Sequence, residues 1–100
     1  MSADNLSKDA EIVQAQWRGI ALEITYTTEY FAGMDHIAVR SEDSVRLPIT
    51  ETGYRSHFLR SEDLAPYADA HDFVLAWLDH AAQSDAWEQY ENDRKQLSLF

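Results

Sequence analysis

The sequence predicts an α+β fold: an antiparallel β-meander of about four to five strands followed by two to three helices packed on one face, with a flexible C-terminal tail. Three observations predict it. From Ile12 to about Leu59, apolar and polar residues largely alternate, the period of strands with one buried face. Short turn signals interrupt that alternation, and no connection between the runs is long enough for a helical crossover, so neighbouring strands run antiparallel. Beyond Ser61 the apolar spacing lengthens to that of helices.

Residues 1–10 form a polar, flexible lead-in. Val13, Ala15 and Trp17 then share one face of a first strand, and Arg18-Gly19 turns the chain into a second, with Ile20, Leu22, Ile24 and Tyr26 inward. Gly33 and Asp35 mark the next turn, and His36 to Ser41 is a third strand carrying Ile37 and Val39. Val45, Leu47 and Ile49 alternate again and predict a fourth, placed at an edge or bulged because Pro48 has no N–H to give a ladder. Thr52-Gly53 is a turn, and Tyr54 to Leu59 a fifth strand.

Ser61-Glu62-Asp63 is a helix start, since hydroxyl and carboxylates meet unpaired backbone N–H groups, and Pro66 keeps that helix short. Asp69 caps a helix over about 70–82, whose Val74, Trp77, Leu78 and Ala81 cover the sheet. Asp85 and Glu88 have capping-box spacing for a last helix over about 86–95, with Trp87 and Tyr90 inward. The folded body is thus a single domain over 11–95, and 96–100 is a tail.

Composition narrows the function classes. The chain has 100 residues, 45% apolar, with three Trp, five Tyr and four Phe, enough for a core. It has no Cys, so disulfides, thiol catalysis and cysteine-held metals are excluded and a cytoplasmic location is expected. No signal peptide or membrane span is read from the sequence. The net charge of −10 argues against general nucleic-acid binding, which needs Lys and Arg on phosphates. Residues 36–60 differ from the rest, with four bases against three acids, whereas residues 61–100 carry nine acids and two bases.

That central segment holds the candidate anion or ligand site: Arg40, Arg46, Tyr54, Arg55, His57 and Arg60. Arg pairs bidentately with phosphate or carboxylate, so a convergence of these residues would hold an anion. On a strand, Tyr54, Ser56 and Phe58 share one face and Arg55, His57 and Leu59 the other. Ser56 and His57 therefore do not form a catalytic dyad. The alternative is a solvated outer face whose arginines pair with Glu23, Glu42 and Glu51. The spacing of His36, His57, His71 and His80 fits no metal motif, and no cofactor or metal is expected. The chain reads as a non-enzyme, with a small enzyme or ligand-binding domain around Tyr54 to His57 as one alternative. A further alternative reads the carboxylates of the C-terminal third as a regulatory or DNA-mimicking surface for a basic partner, with the tail structural.

The tail, Gln96-Leu97-Ser98-Leu99-Phe100, offers three large apolar side chains after a polar helix. It resembles the short peptide by which bacterial proteins bind the replication sliding clamp. The resemblance implies that Leu99 and Phe100 fill the clamp's hydrophobic cleft, that Leu97 occupies a neighbouring apolar site, and that Gln96 bonds at the rim, with Ser98 permissive. Arg94 and Lys95 would favour approach to an acidic surface. The expected function is a non-enzymatic interaction protein of replication or repair, with the clamp as partner. The body, through Leu47 to Phe58, resembles uncharacterised small proteins of bacterial plasmids and mobile elements.

Overall fold

In the computed structural model, which describes residues 10–97, the chain is a four-stranded antiparallel sheet in sequential order, followed by two helices. The strands are β1 (Ala10–Trp17), β2 (Ile20–Phe31), β3 (Met34–Ser41) and β4 (Tyr54–Leu59). The helices are α1 (Ala70–Ala81) and α2 (Asp85–Leu97). The lead-in over 1–9 and the tail positions Ser98, Leu99 and Phe100 lie outside the described residues.

Both first hairpins close on two-residue turns with positive φ at each centre: Arg18 (51°) with Gly19 (83°), and Ala32 (48°) with Gly33 (79°). Such turns match the right-handed twist of the strands they join. Between them the register of β2 against β3 shifts between Thr27 and Phe31, where Glu29 has φ 50°. This bulge is held by Asp35, which is not a turn residue but lies inside β3. The Glu29 N–H donates to Asp35 Oδ1 at 2.9 Å, while the hydroxyls of Tyr26 (2.5 Å) and Ser61 (2.7 Å) donate to Oδ2.

The predicted strand over Val45–Ile49 does not form. A 3-10 turn occupies Glu42–Ser44, with positive φ at Asp43 and Ser44, and the following loop makes only an isolated bridge between Leu47 and Thr50. Left-handed residues and Pro48 break the extended run that a ladder needs. Leu47 and Ile49 are nevertheless buried and plug one end of the core. The loop closes at Gly53, whose carbonyl accepts the Ser41 N–H at 2.8 Å. A Cβ on Gly53 (φ 82°) would stand 2.5 Å from Ser41 Oγ and 2.7 Å from the Ser44 backbone. Gly53→Ala is therefore expected to cost about 1–3 kcal/mol, seen as a lower urea midpoint with an unchanged slope. A midpoint equal to the parent's would show that the loop relaxes freely.

The core lies between the sheet and α1, where Leu22, Ile24, Ile37 and Val39 meet Val74 and Leu78. Asp69 caps α1 by accepting the Asp72 N–H at 2.9 Å. The short helix expected at Ser61 is a 3-10 turn over Ser61–Leu64, with its Ser61 hydroxyl turned to Asp35. The cap of α2 is Ser84, one position before the predicted box, its hydroxyl accepting the Trp87 N–H at 3.1 Å. Trp87 packs on Trp17 with ring centroids 5.8 Å apart and docks α2 to the first hairpin.

Candidate functional site

β4 lays its two faces out as the alternation predicts. His57 and Leu59 turn toward the helices, with His57 half-buried and Leu59 buried, while Tyr54, Ser56 and Phe58 are exposed on the other face. α1 meets this strand with a second stripe beside its core stripe. Phe73, Trp77 and His80, at i, i+4 and i+7, flank the buried row Ala70, Val74, Leu78. Between stripe and strand lies an open recess of about 400 Å³.

Its walls are aromatic. The His57 ring is 4.8 Å from Trp77 and 6.1 Å from Phe73, and Tyr67 meets Phe73 edge-on at 5.2 Å. Arg55 forms the cationic side: its guanidinium lies 5.4 Å from the Trp77 ring centroid, and Nη1 donates to the Ile49 carbonyl at 3.0 Å. Burial holds the His57 pKa below its ordinary value, Arg55 and the more distant His36 lower it further, and Asp63 opposes them. At neutral pH His57 is thus a neutral imidazole beside a fixed positive charge.

The structure brings Arg55 and His57 together and separates the other candidates. Arg40 and Tyr54 pair on the opposite face, 4.8 Å from guanidinium to ring. Arg46 lies 4.5 Å from the Tyr90 ring and ties the β3–β4 loop to α2. Arg60 precedes the 3-10 turn, its N–H donating to Asp63 Oδ2 at 2.9 Å. None of these four arginines makes an ion pair with Glu23, Glu42 or Glu51; the ion pairs among the described residues include Arg18–Glu91 (3.8 Å) and Arg94–Glu91 (3.6 Å). Three of the four instead face aromatic rings. The sequence reading leaves out Tyr67 and Phe73, assigns Trp77 to the core face and weighs His80 only as a metal ligand. The signal available was the second stripe on α1, which makes its apolar arc wider than one core contact requires.

On the open face, His36 Nε2 and Ser56 Oγ are 2.5 Å apart, and His36 stacks on Tyr30 at 4.6 Å and meets Phe58 at 4.8 Å. Burial lowers the His36 pKa. No carboxylate orients its ring among the described residues, so the pair reads as a cross-strand bond within an aromatic cluster rather than a nucleophile and base. No cluster of three or more His, Asp or Glu able to hold a metal ion occurs among the described residues. No helix among them is long and apolar enough to cross a membrane.

The last two turns of α2 approach the tail. Asn92 to Gln96 are all exposed, and the helix runs through Leu97, past the expected boundary at 95. No Gly or Pro interrupts it, and Arg94 and Lys95 suit the negative end of its dipole.

Sheet, helices and recess define a small α+β domain built on an antiparallel meander. A family model described as the KlcB third domain matches residues 10–87, and the chain belongs to that family. No curated protein and no solved structure matches the chain. The matched span opens with β1 and ends at Trp87, the residue that docks α2, so most of α2 and the tail lie beyond it.

Proposed function

We propose that this chain is a non-enzymatic interaction protein that docks on the bacterial replication sliding clamp through Gln96-Leu97-Ser98-Leu99-Phe100. The observation that carries the reading is the exposure of the five residues Asn92 to Gln96 on α2. A helix lying along the body would turn at least one of those positions inward; here none of the five is buried. The family match ends at Trp87, before this segment. Docking in an extended form unwinds the last turn of α2, whose Arg94 to Gln96 are exposed and whose Arg94–Glu91 ion pair is a surface contact of small worth. The family and the resemblance of the body to plasmid and mobile-element proteins fit a protein that engages its host's replication machinery.

A peptide that orders on docking binds modestly, near micromolar, or about 8 kcal/mol. Leu99 and Phe100 are the main apolar anchors, each contributing about 2 kcal/mol on burial. The test is direct binding of the full chain and of a variant ending at Ser98 to a purified clamp, with circular dichroism of both. Binding that weakens about 100-fold or more in a variant that stays folded supports the proposal. Failure of the full chain to bind, equal binding by both, or unfolding of the variant overturns it. A second reading rests on the exposed carboxylates Asp85, Glu88 and Asp93 of α2. It makes the chain a ligand for a basic partner, with binding that falls steeply with salt and ignores the tail.

A further inference from the structure

The Arg55 recess has the chemistry of a ligand site independent of the tail. Its rings are half-buried, not sealed: His57, Tyr67, Phe73 and Trp77 each keep a solvent-facing part. The fully buried residues of α1 lie on the other stripe, while Phe73 and Trp77 pack on the core by one side and line the recess by the other. The volume of about 400 Å³ falls within the usual range of small-molecule sites.

Arg55 supplies the second observation. It stands in a chain of net charge −10 without an ion-pair partner among the described residues. One N–H is fixed by the Ile49 carbonyl and the guanidinium carbon lies over the Trp77 ring, two contacts that hold the group in place. The remaining donors have no acceptor among the described residues. A guanidinium held in place beside an aromatic wall is prepared for a bidentate anion. Asp63, whose charge acts on His57, accepts the Arg60 N–H through Oδ2. His80, exposed at the end of the stripe, adds a further N–H to the rim.

We propose that this recess binds a planar aromatic group bearing an anionic oxygen group, the ring lying against Trp77 and Phe73 and the anion meeting Arg55. The ring gains by offset stacking and apolar burial, and the anion by charge-assisted hydrogen bonds in a partly dry setting. Aryl carboxylates and mononucleotides share this chemistry, and the experiment separates them.

The full chain is titrated with 1-naphthoate, adenosine monophosphate, neutral 1-naphthylmethanol and inorganic phosphate, following amide shifts by NMR and Trp fluorescence. Saturable shifts centred on His57, Phe73, Trp77 and His80 are expected with at least one aromatic anion. Binding at least tenfold weaker is expected for the neutral alcohol, for phosphate and for Arg55→Gln. Naphthoate without the nucleotide identifies aryl carboxylates as the source; the nucleotide binding more tightly identifies nucleotides. Ala76 also lines the recess, and Ala76→Phe, which fills it and leaves Arg55 intact, should abolish the shifts even if Arg55→Gln loosens the Ile49 loop. Binding that ignores the charge of the probe, survives filling of the recess, or maps elsewhere overturns the proposal, as does the absence of shifts with every probe. The variant ending at Ser98 should bind as the parent does, so this result stands apart from clamp docking.

Discussion

Asp35→Ala is expected to lower the unfolding free energy by about 3 kcal/mol, measured by urea denaturation. Asp35 is 0% exposed and accepts hydrogen bonds from the Glu29 N–H and from the hydroxyls of Tyr26 and Ser61. One carboxylate thus joins the β2 bulge, β3 and the 3-10 turn that leads to α1. Alanine leaves those donors without an acceptor, at about 1–3 kcal/mol for a buried one. The three do not add in full, because the hydroxyls rotate toward water and the backbone N–H does not. Asp35→Asn keeps the shape and one acceptor and should cost less. A loss under about 1 kcal/mol for the alanine variant would show that the bulge does not depend on this side chain.

The same network sets how stability changes with pH. Burial pushes the Asp35 pKa up, but the hydrogen bonds from Tyr26, Glu29 and Ser61 outweigh it and hold the carboxyl below its ordinary 3.8. A depressed folded-state pKa contributes stability that is complete above 3.8 and is lost as pH falls from there through the folded value. Burial, then the Asp35 hydrogen bond and charge, raise Tyr26 to about 12 from 10.0. Its contribution is complete below pH 10 and is lost as pH rises from there through about 12. Asp35→Asn should flatten the acid limb and shrink the alkaline one relative to the parent. Parallel pH profiles of parent and variant would place the titrating groups elsewhere.

How legible this fold was depended on whether a local pattern and a tertiary one agreed. The hairpins could be read because Arg18-Gly19 and Gly33 supply turn chemistry where the alternation pauses, and two-residue turns of this kind set the pairing of the strands they join. Leu47 and Ile49 misled because alternation reports burial, and a loop can bury alternate residues without pairing. Asp35 read as a turn residue because an aspartate beside a glycine has that local preference. Its true role depends on Tyr26, Glu29 and Ser61, which only the fold brings to it. The same holds at the candidate site. The strand placed Arg55 and His57 on one face, but Trp77 and Phe73 reach them only through the packing of α1 across β4. Arg40 and Arg46 looked like their companions by charge alone, and the alternation and the loop send them elsewhere.

Trp87→Ala is expected to cost about 3–5 kcal/mol, the range for removing a large buried ring, whereas Trp87→Phe should cost less than about 1.5 kcal/mol. The ring is 3% exposed and packs between Trp17 and Tyr90, with centroids 5.8 and 5.0 Å away. Its Nε1 is buried and has no hydrogen-bond partner among the described residues, so phenylalanine removes an unpaired donor along with part of the ring. Trp17→Phe should cost more than Trp87→Phe despite the same change of side chain, because Trp17 Nε1 donates to Asp79 Oδ1 at 2.8 Å and phenylalanine loses that charge-assisted bond. Equal costs for the two phenylalanine variants would show that these ring N–H groups do not govern the contact. The alanine variant also separates the two parts of the chain. Trp87 is the last residue of the family span and the buried anchor of α2. Loosening α2 there should lower the melting temperature, while a docking peptide that orders only on its partner loses no contact of its own. Clamp affinity measured well below the melting temperature should therefore stay within about threefold of the parent. An affinity that falls in step with stability would mean that the packed helix, and not the five-residue peptide, presents the binding surface.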